Sequence, residues 1–391
     1  MNKEILKPEV QEFIINNQDT DPVSVSLKKS PFPGVTPQEL ALQVKGLRTA
    51  AGKLTTWAHT PGIYYPPTLN LEQASSEPLA QYKAGLVKGR FMADLTGGFG
   101  VDAYFFSARF EKVYYCERDS ALAAIASHNF QVLGASNVEV SVGDGLSLLE
   151  GIRAATGGLD WIYLDPSRRG KDGGRKFRLE DYQPSVVEFL PQLFRASPNI
   201  LLKTAPLLDL SEGVKQLGNV REIHITGINN EVRELLWWLQ KDWQVPPEIV
   251  AADLKFPAAP LRFTRASEAA AEITCHLPMK YLYEPNACML KAGAFKTAAR
   301  HYGLFKLHPS THLYTSDTLV PFPGRRFKIR EVLPYKPGRL GFRKANVSTR
   351  NFPESVARIR KRNRIRDGGA TYLFFVRCKD ESLCVLVSDP A

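Results

Sequence analysis

Apolar residues are spaced in different ways along the three parts of this chain. Up to about residue 85, Val10, Phe13 and Ile14, then Leu40, Leu42, Val44, Leu47 and Leu54, recur at helix-compatible intervals. Proline-rich breaks at 31–37 and 61–67 divide this region into about three helical pieces. From residue 90 to about 263 the pattern changes. Short apolar runs at 91–95, 112–117, 137–142, 159–164, 198–204 and 220–227 alternate with helical patterns such as 120–133 and 184–196. Short, uniformly apolar strands separated by helices predict a parallel sheet covered on both faces. After the sixth run, Gly227-Ile-Asn-Asn-Glu231 is too short for a crossover helix. The next segment, 232–239, is therefore expected to return antiparallel, with a helix as the alternative.

A small-residue segment at 266–272 separates two strand-like runs and marks a boundary. Beyond it, 280–319 mixes short strands with one helix, 288–302. The alternating run 324–332 predicts a strand. A basic helix is expected at 353–366, with Pro353 in its first turn, Val356 and Ile359 inward, and Gly368 and Gly369 past its end. Runs at 371–377 and 382–388 close the chain as strands. There is no internal repeat and no low-complexity tract.

A length of 391 residues implies two or three domains, and 44% hydrophobic content is ordinary for a globular protein. No run reaches the 18 or so apolar residues of a membrane span, and the start Met-Asn-Lys-Glu-Ile-Leu-Lys lacks a signal peptide's apolar core. A cytoplasmic location and no membrane partner are the expectations. Cys116, Cys275, Cys288, Cys378 and Cys384 are scattered without a C-x-x-C pair, which predicts buried free thiols and no required metal.

The net charge of +11 is concentrated in one segment. Residues 321–370 hold 15 Lys and Arg against 3 acids, a balance of +12, so the other 341 residues sum to −1. A basic module on a near-neutral body points to a polyanion. Candidate contacts are Arg325, Arg326, Arg343, Lys344, Arg350, Arg358, Lys361 and Arg362. Phe327, Tyr335, Phe342 and Phe352 interleave with the charges, where aromatics can stack on unpaired bases. A solvated face is the plain alternative.

The candidate chemistry begins in the run 91–103, Phe-Met-Ala-Asp-Leu-Thr-Gly-Gly-Phe-Gly-Val-Asp-Ala, a strand that ends in an acid and then a glycine-rich turn. Thr96, Gly97, Gly98 and Gly100 allow tight turning and close approach of a cofactor, with a helix beginning near Val101. Gly98-x-Gly100-x-x-Ala103 also meets a relaxed dinucleotide fingerprint, with Glu117 at about the right distance. Asp94 weighs against a pyrophosphate, because like charges at short range cost more than a helix dipole returns. S-adenosylmethionine has no phosphate and carries an ammonium and a sulfonium, which an acid attracts. Glu117 can hold ribose hydroxyls, and Asp144-Gly145, after the third strand, can receive the adenine amino group. An ordinary turn or helix cap is the alternative for Asp144. Gln73, Ser75 and Ser76 either cover the cofactor or are polar helix surface.

After the fourth strand, Asp165-Pro166-Ser167-Arg168-Arg169 lies at the same sheet edge, where a methyl acceptor would sit. A carboxylate with the adjacent prolyl carbonyl can accept hydrogen bonds from an amino group and orient its lone pair. A loop starter followed by solvated arginines is the alternative.

Asp94-Leu-Thr-Gly-Gly-Phe-Gly, Glu117, Gly143-Asp144 and Asp165-Pro-Ser-Arg-Arg together resemble the class I S-adenosylmethionine-dependent methyltransferases. Within these the chain is similar to a bacterial group with a THUMP-like domain after the catalytic domain. Tyr283-Glu-Pro-Asn-Ala, Tyr314-Thr-Ser, Phe322-Pro-Gly-Arg-Arg-Phe and Lys344-Ala-Asn-Val-Ser-Thr-Arg-Asn-Phe-Pro353 carry that likeness, which covers roughly residues 70 to 391. The resemblance implies an α/β fold with a Rossmann-like seven-stranded sheet at 86–270 behind an N-terminal helical region, 1–85. It also implies small α+β domains, ferredoxin-like at 275–322 and THUMP-like, basic and RNA-binding at 323–391. The implied reaction is methyl transfer to a nucleotide of tRNA or rRNA. The chain departs from amino-methylating relatives, which carry a second proline and an aromatic where Ser167 and Arg168 stand. Carbon-5 uracil methylation needs a cysteine where this chain has Leu202-Lys203-Thr204. Lys203 is catalytic, structural or phosphate-facing on this reading. A non-catalytic RNA-binding protein and a methyltransferase acting on protein or a small molecule are the other functional readings.

Overall fold

The computed structural model describes residues 1–166, 179, 182, 185–256, 259–338 and 340–391. Two compact units divide the chain, one of Met1–Arg221 with Leu236–Gln244, the other of Glu222–Leu235 with Val245–Ala391.

The first unit begins with short helices. Prolines sit at their N-terminal turns, as in Pro8–Asn16, Pro22–Ser26 and Pro37–Ala51, where a missing N–H costs nothing. Thr36 and Glu39 form a reciprocal capping box on the last of these. More helices form than the three expected pieces, because Thr55–His59, Thr68–Gln73 and Glu77–Leu86 each end after a turn or two. Leu40, Val44, Leu47, Leu54 and Trp57 are buried in one core with Phe99, Val101 and Ile125 of the following fold. The chain at 63–67 is pinned by two buried amides. Gln43 brackets the backbone of Tyr65 at 2.8 and 2.9 Å, and Asn129 brackets that of Tyr64 at 2.9 Å on both sides.

Strands β1 (Gly89–Asp94), β2 (Phe110–Glu117), β3 (Val138–Val142), β4 (Trp161–Leu164) and β5 (Asn199–Thr204) match the expected runs, and β1 to β5 pair in parallel. Their order is β3-β2-β1-β4-β5. The chain therefore reverses direction of travel across the sheet at β1 and β4, which opens a crevice at their carboxyl ends. Next come β6 (Val220–Ile228) and β7 (Glu231–Gln240), joined by Asn229 and Asn230 at φ 56° and 61°, the left-handed pair of a tight hairpin. The antiparallel reading of 232–239 is the right one, and the helix alternative is excluded.

The second unit continues β6 in parallel with β8 (Glu248–Asp253), which pairs antiparallel with β9 (Leu261–Thr264). The complete order is β3-β2-β1-β4-β5-β7-β6-β8-β9, so the sheet has nine strands and not the expected seven. The two extra strands come from 248–264, which holds the strand-like run before the boundary at 266–272 and an earlier apolar run that the alternating pattern leaves unassigned.

A separate sheet is built from β10 (Tyr281–Pro285), β11 (Phe305–His308), β12 (Thr311–Ser316), β13 (Gly324–Pro334), β14 (Asn346–Arg350), β15 (Tyr372–Arg377) and β16 (Leu383–Pro390), in the order β11-β12-β10-β13-β16-β15-β14. The helix expected at 288–302 is two, Ala287–Ala292 and Lys296–Tyr302, because Gly293 turns left-handed at φ 75°. The basic helix is only Val356–Asn363. Ser355 caps its start, and Arg364 at φ 54° ends it. Ile359 is inward as expected. All five cysteines are free thiols, four of them buried and Cys275 partly so. No helix among the described residues is long and apolar enough to cross a membrane.

Candidate functional site

The carboxyl ends of β1, β2 and β4 and the turn after β3 open onto one cavity of about 360 Å³ in the first unit. Asp94 ends β1, Glu117 ends β2, Asp144 caps the helix Gly145–Thr156, and Asp165 follows β4. The structure brings these four acids together, with Thr96, Gly97, Gly98, Gly100 and Gly145 on the same wall. Pro166 is buried beside Asp165. Ser167 and Arg168 lie outside the described residues.

The loop geometry has specific causes. Gly100 sits at φ 83°, a conformation that side chains resist, and starts the helix Val101–Ser107. At Gly145 a Cβ would lie 2.4 Å from the Leu95 carbonyl oxygen, so the helix that follows Asp144 can approach the end of β1 only without a side chain. The Gly98 N–H is not left over for a ligand. It donates to Glu117 Oε2 at 2.8 Å, while Glu117 Oε1 accepts from the Asp119 N–H at 2.8 Å. Glu117 is thereby aimed across the cavity floor, with lone pairs remaining.

Electrostatically the described wall of the cavity is acidic. Asp94, Asp102, Glu117, Asp119, Asp144 and Asp165 all line it, and the one cationic lining residue among the described residues, Arg118, is paired with Asp144. Asp94 is 1% exposed. Burial pushes its carboxyl up to about 8, with Asp102, Asp165 and Glu117 adding to the rise and the Thr96 N–H, 3.0 Å from Oδ1, opposing it. Asp144 shows both of its sequence-level aspects. Burial would raise its carboxyl, but the Ser147 N–H at 3.0 Å and Arg118 outweigh that and hold it low. Its cap is real, and it lines the cavity as well.

At the acceptor side, the Asp165 N–H donates to Thr96 Oγ1 at 2.7 Å, and Lys203 Nζ donates to Asp165 Oδ2. Thr96 therefore links the loop of Asp94 to the loop of Asp165. Lys203, ambiguous in sequence, faces this acid.

The N-terminal helices enter the wall through Asn70, Gln73, Ala74 and Ser75. Of the three polar residues singled out there, Gln73 and Ser75 line the cavity, while Ser76 is the N-cap position of Glu77–Leu86. Sequence reasoning passes over Lys83, Asp102 and Tyr163. The first two stand 19 positions apart, and no local pattern marks them as partners.

A cavity whose described wall carries six acids, with Asp102, Asp144 and Asp165 each paired with one cation, disfavours a pyrophosphate and suits a ligand with positive charge. Its volume falls in the range of small-molecule sites. The donor set fits S-adenosylmethionine, whose ammonium and sulfonium meet acids and whose ribose meets Glu117.

Comparison with known proteins agrees. Family models for a ferredoxin-like domain and a THUMP domain-like region match residues 281–323 and 324–389. Two Mycobacterium tuberculosis proteins, from strains CDC 1551 / Oshkosh and ATCC 25618 / H37Rv, are each named an uncharacterized S-adenosylmethionine-dependent methyltransferase. They are 26% identical over 297 residues, 75% of this chain and 77% of theirs. A crystal structure named "putative methyltransferase from Porphyromonas gingivalis W83" superposes over 100% of this chain and 98% of its own, at 31% identity and a TM-score of 0.86. The chain belongs to this family of S-adenosylmethionine-dependent methyltransferases.

In the second unit the methyltransferase sorts its basic residues into two kinds. Arg325 and Arg350 both clasp the buried Glu284, and Arg358 and Arg362 both pair with Glu354. Half of the eight candidate contacts are thus engaged in ion pairs. Arg326, Arg343, Lys344 and Lys361 have no acidic partner among the described residues. The aromatic expectation needs correction. Phe327 is 2% exposed and stacks edge-on with Phe374 at 4.8 Å, while Tyr335, Phe342 and Phe352 pack against a second core around Phe375. At Phe327 the alternation of charge with an aromatic records a strand with one face inward, and the other three rings are partly buried against a core.

Proposed function

We propose that this methyltransferase modifies a nucleotide of structured RNA, tRNA or rRNA. The observation that carries this reading is a cluster of exposed cations in the THUMP-like region. Arg343 O accepts from the Arg366 N–H at 2.9 Å, and Ala345 N–H donates to Arg366 O at 3.0 Å, so Arg343, Lys344 and Arg366 stand side by side. Lys361 and Arg364 follow on the neighbouring helix and its end. All five are exposed, and none has an acidic partner among the described residues. Uncompensated cations on a β-bridge and the helix beside it suit phosphates spaced along a backbone.

In the first unit, Asp94, Thr96, Gly97, Gly98, Gly100, Glu117, Asp144 and Gly145 hold the cofactor in this reading. When bound, it supplies an electrophilic methyl group on a sulfonium. Asp165, fixed by Thr96 and Lys203, accepts a hydrogen bond from the target's amino group together with the Pro166 carbonyl and so directs its lone pair. Ser167 and Arg168 complete the acceptor side by their place in the sequence.

Labelled methyl transfer into RNA from a strain lacking the gene tests the reading, and nucleoside mass spectrometry of that strain and its parent identifies the base. One modified nucleoside missing from the deletion strain, with incorporation abolished in Asp165→Ala, is the expected result. No incorporation into any RNA fraction refutes an RNA substrate. Undiminished incorporation in Asp165→Ala removes that residue from the site.

A further inference from the structure

The cavity holds a buried acid, Asp94, and a part-buried one, Asp102, in opposite electrostatic settings. Asp94 has no ion pair with a cation among the described residues, and Asp102, Asp165 and Glu117 surround it with Thr96. Asp102, in the helix Val101–Ser107, is surrounded by donors. Lys83, fully buried in the helix Glu77–Leu86, lies 2.9 Å from Asp102 Oδ1 and donates to Ser75 Oγ at 2.6 Å. Ser75 Oγ in turn donates to Asp102 Oδ2 at 2.9 Å, and Tyr163 OH donates to the same oxygen at 2.8 Å. Ser75, Asp102 and Tyr163 all line the cavity, whereas Lys83 stands behind them.

A fully buried lysine is costly unless a carboxylate neutralises it, so the pair is ionised together or not at all. We propose that Lys83 is a positioning residue of the methyl-donor site: directly and through Ser75, beside the hydroxyl of Tyr163, it fixes Asp102 as a standing carboxylate that binds the cationic, amino-acid end of S-adenosylmethionine. The groups facing Asp102 are Lys83 and Ser75 from the N-terminal region, Tyr163 from β4, Lys203 from β5 and Asp94 from β1. Burial raises the Asp102 carboxyl, but Lys83 and then Lys203 more than reverse this, so it lies below its ordinary value while that of Asp94 lies above. Two carboxylates driven apart by their environments take different roles. In this division Asp102 carries charge before the cofactor arrives, and the N-terminal helices become part of the donor site through Lys83 and Ser75.

The inference rests on the cofactor reading of this cavity, and calorimetric binding of S-adenosylmethionine separates the two. Failure of the wild type to bind overturns that reading and this inference with it. With binding established, Lys83→Met is expected to weaken affinity roughly tenfold at pH 6.5, the scale of one charged hydrogen bond. The ratio to wild type should shrink toward 1 by pH 9, because Asp102 without its cation protonates more readily. A pair that serves only packing would change affinity by one factor at every pH, and that result overturns the proposal. Lys83→Met/Asp102→Asn leaves no uncompensated buried charge and so retains the fold if the single variant does not. Its affinity should be lower by a similar factor at both pH values. Wild-type affinity in the folded double variant overturns the proposal.

Discussion

Replacing Asp94 by Asn should stabilise the ligand-free protein at neutral and alkaline pH while weakening its hold on the cofactor. The native carboxyl is pushed up to about 8, chiefly by burial, from an ordinary value of 3.8. Between those values the folded state keeps a proton that the unfolded state has released. Stability is therefore lost as pH rises through that window, at about 1.4 kcal/mol per pH unit where the slope is full. The accumulated cost is roughly 4 kcal/mol at pH 7 and roughly 6 beyond pH 8; both are ceilings, because relaxation around the charge absorbs part of it. Asn occupies the same volume without this term, so its thermal melts should not fall across the window as the wild type's do. A cationic ligand reverses the balance by favouring the carboxylate, which couples binding to proton release. With a value of about 8, roughly nine-tenths of Asp94 is protonated at pH 7, so close to one proton should leave per cofactor bound. Titration calorimetry in two buffers of different ionisation enthalpy reads that number directly, and it should approach zero at pH 9.5. Equal heats in both buffers at pH 7, or an Asp94→Asn protein whose stability follows the wild type from pH 5 to 9, would refute the reasoning.

Other substitutions separate site from scaffold. Gly145→Ala forces a Cβ against the Leu95 backbone, and should lower stability by about 1–3 kcal/mol and reduce cofactor affinity, both measurable in one thermal-shift series. Phe327→Ala should cost about 3–5 kcal/mol in denaturant unfolding, a core penalty that a base-stacking residue would not show. Lys344→Ala/Arg366→Ala should leave the melt unchanged and flatten the salt dependence of RNA binding by about 1.4–1.8 in logarithmic slope, two phosphate contacts' worth. Arg325→Ala should do the reverse, destabilising the fold because Glu284 loses one of its two partners, with the salt slope preserved.

Much of this was legible along the chain because it is local. Strands β1 to β5 follow from short apolar runs between helical patterns, and Asp94, Glu117, Asp144 and Asp165 fall at their ends because parallel strands bring every such end to one edge. The hairpin at Asn229 and Asn230 was written in a turn too short for a crossover. Local pattern also misled in definite ways. Alternation around Phe327 has the same form whether the inward face meets a core or a base, and only the packing of Phe374 against it decides. The span 288–302 scans as one helix until Gly293 turns left-handed.

What the tertiary structure alone decided is pairing at a distance. Lys83 with Asp102, Thr96 with Asp165 and Lys203 with Asp165 are separated by 19, 69 and 38 positions. Likewise, Glu284 lies 41 and 66 positions from the arginines it engages. Periodicity tells which face of an element is inward, but it carries no term for which charge on one element meets which on another. That choice is made when the elements pack, and only then is an acid like Asp102 paired with a lysine or one like Asp94 buried among other acids.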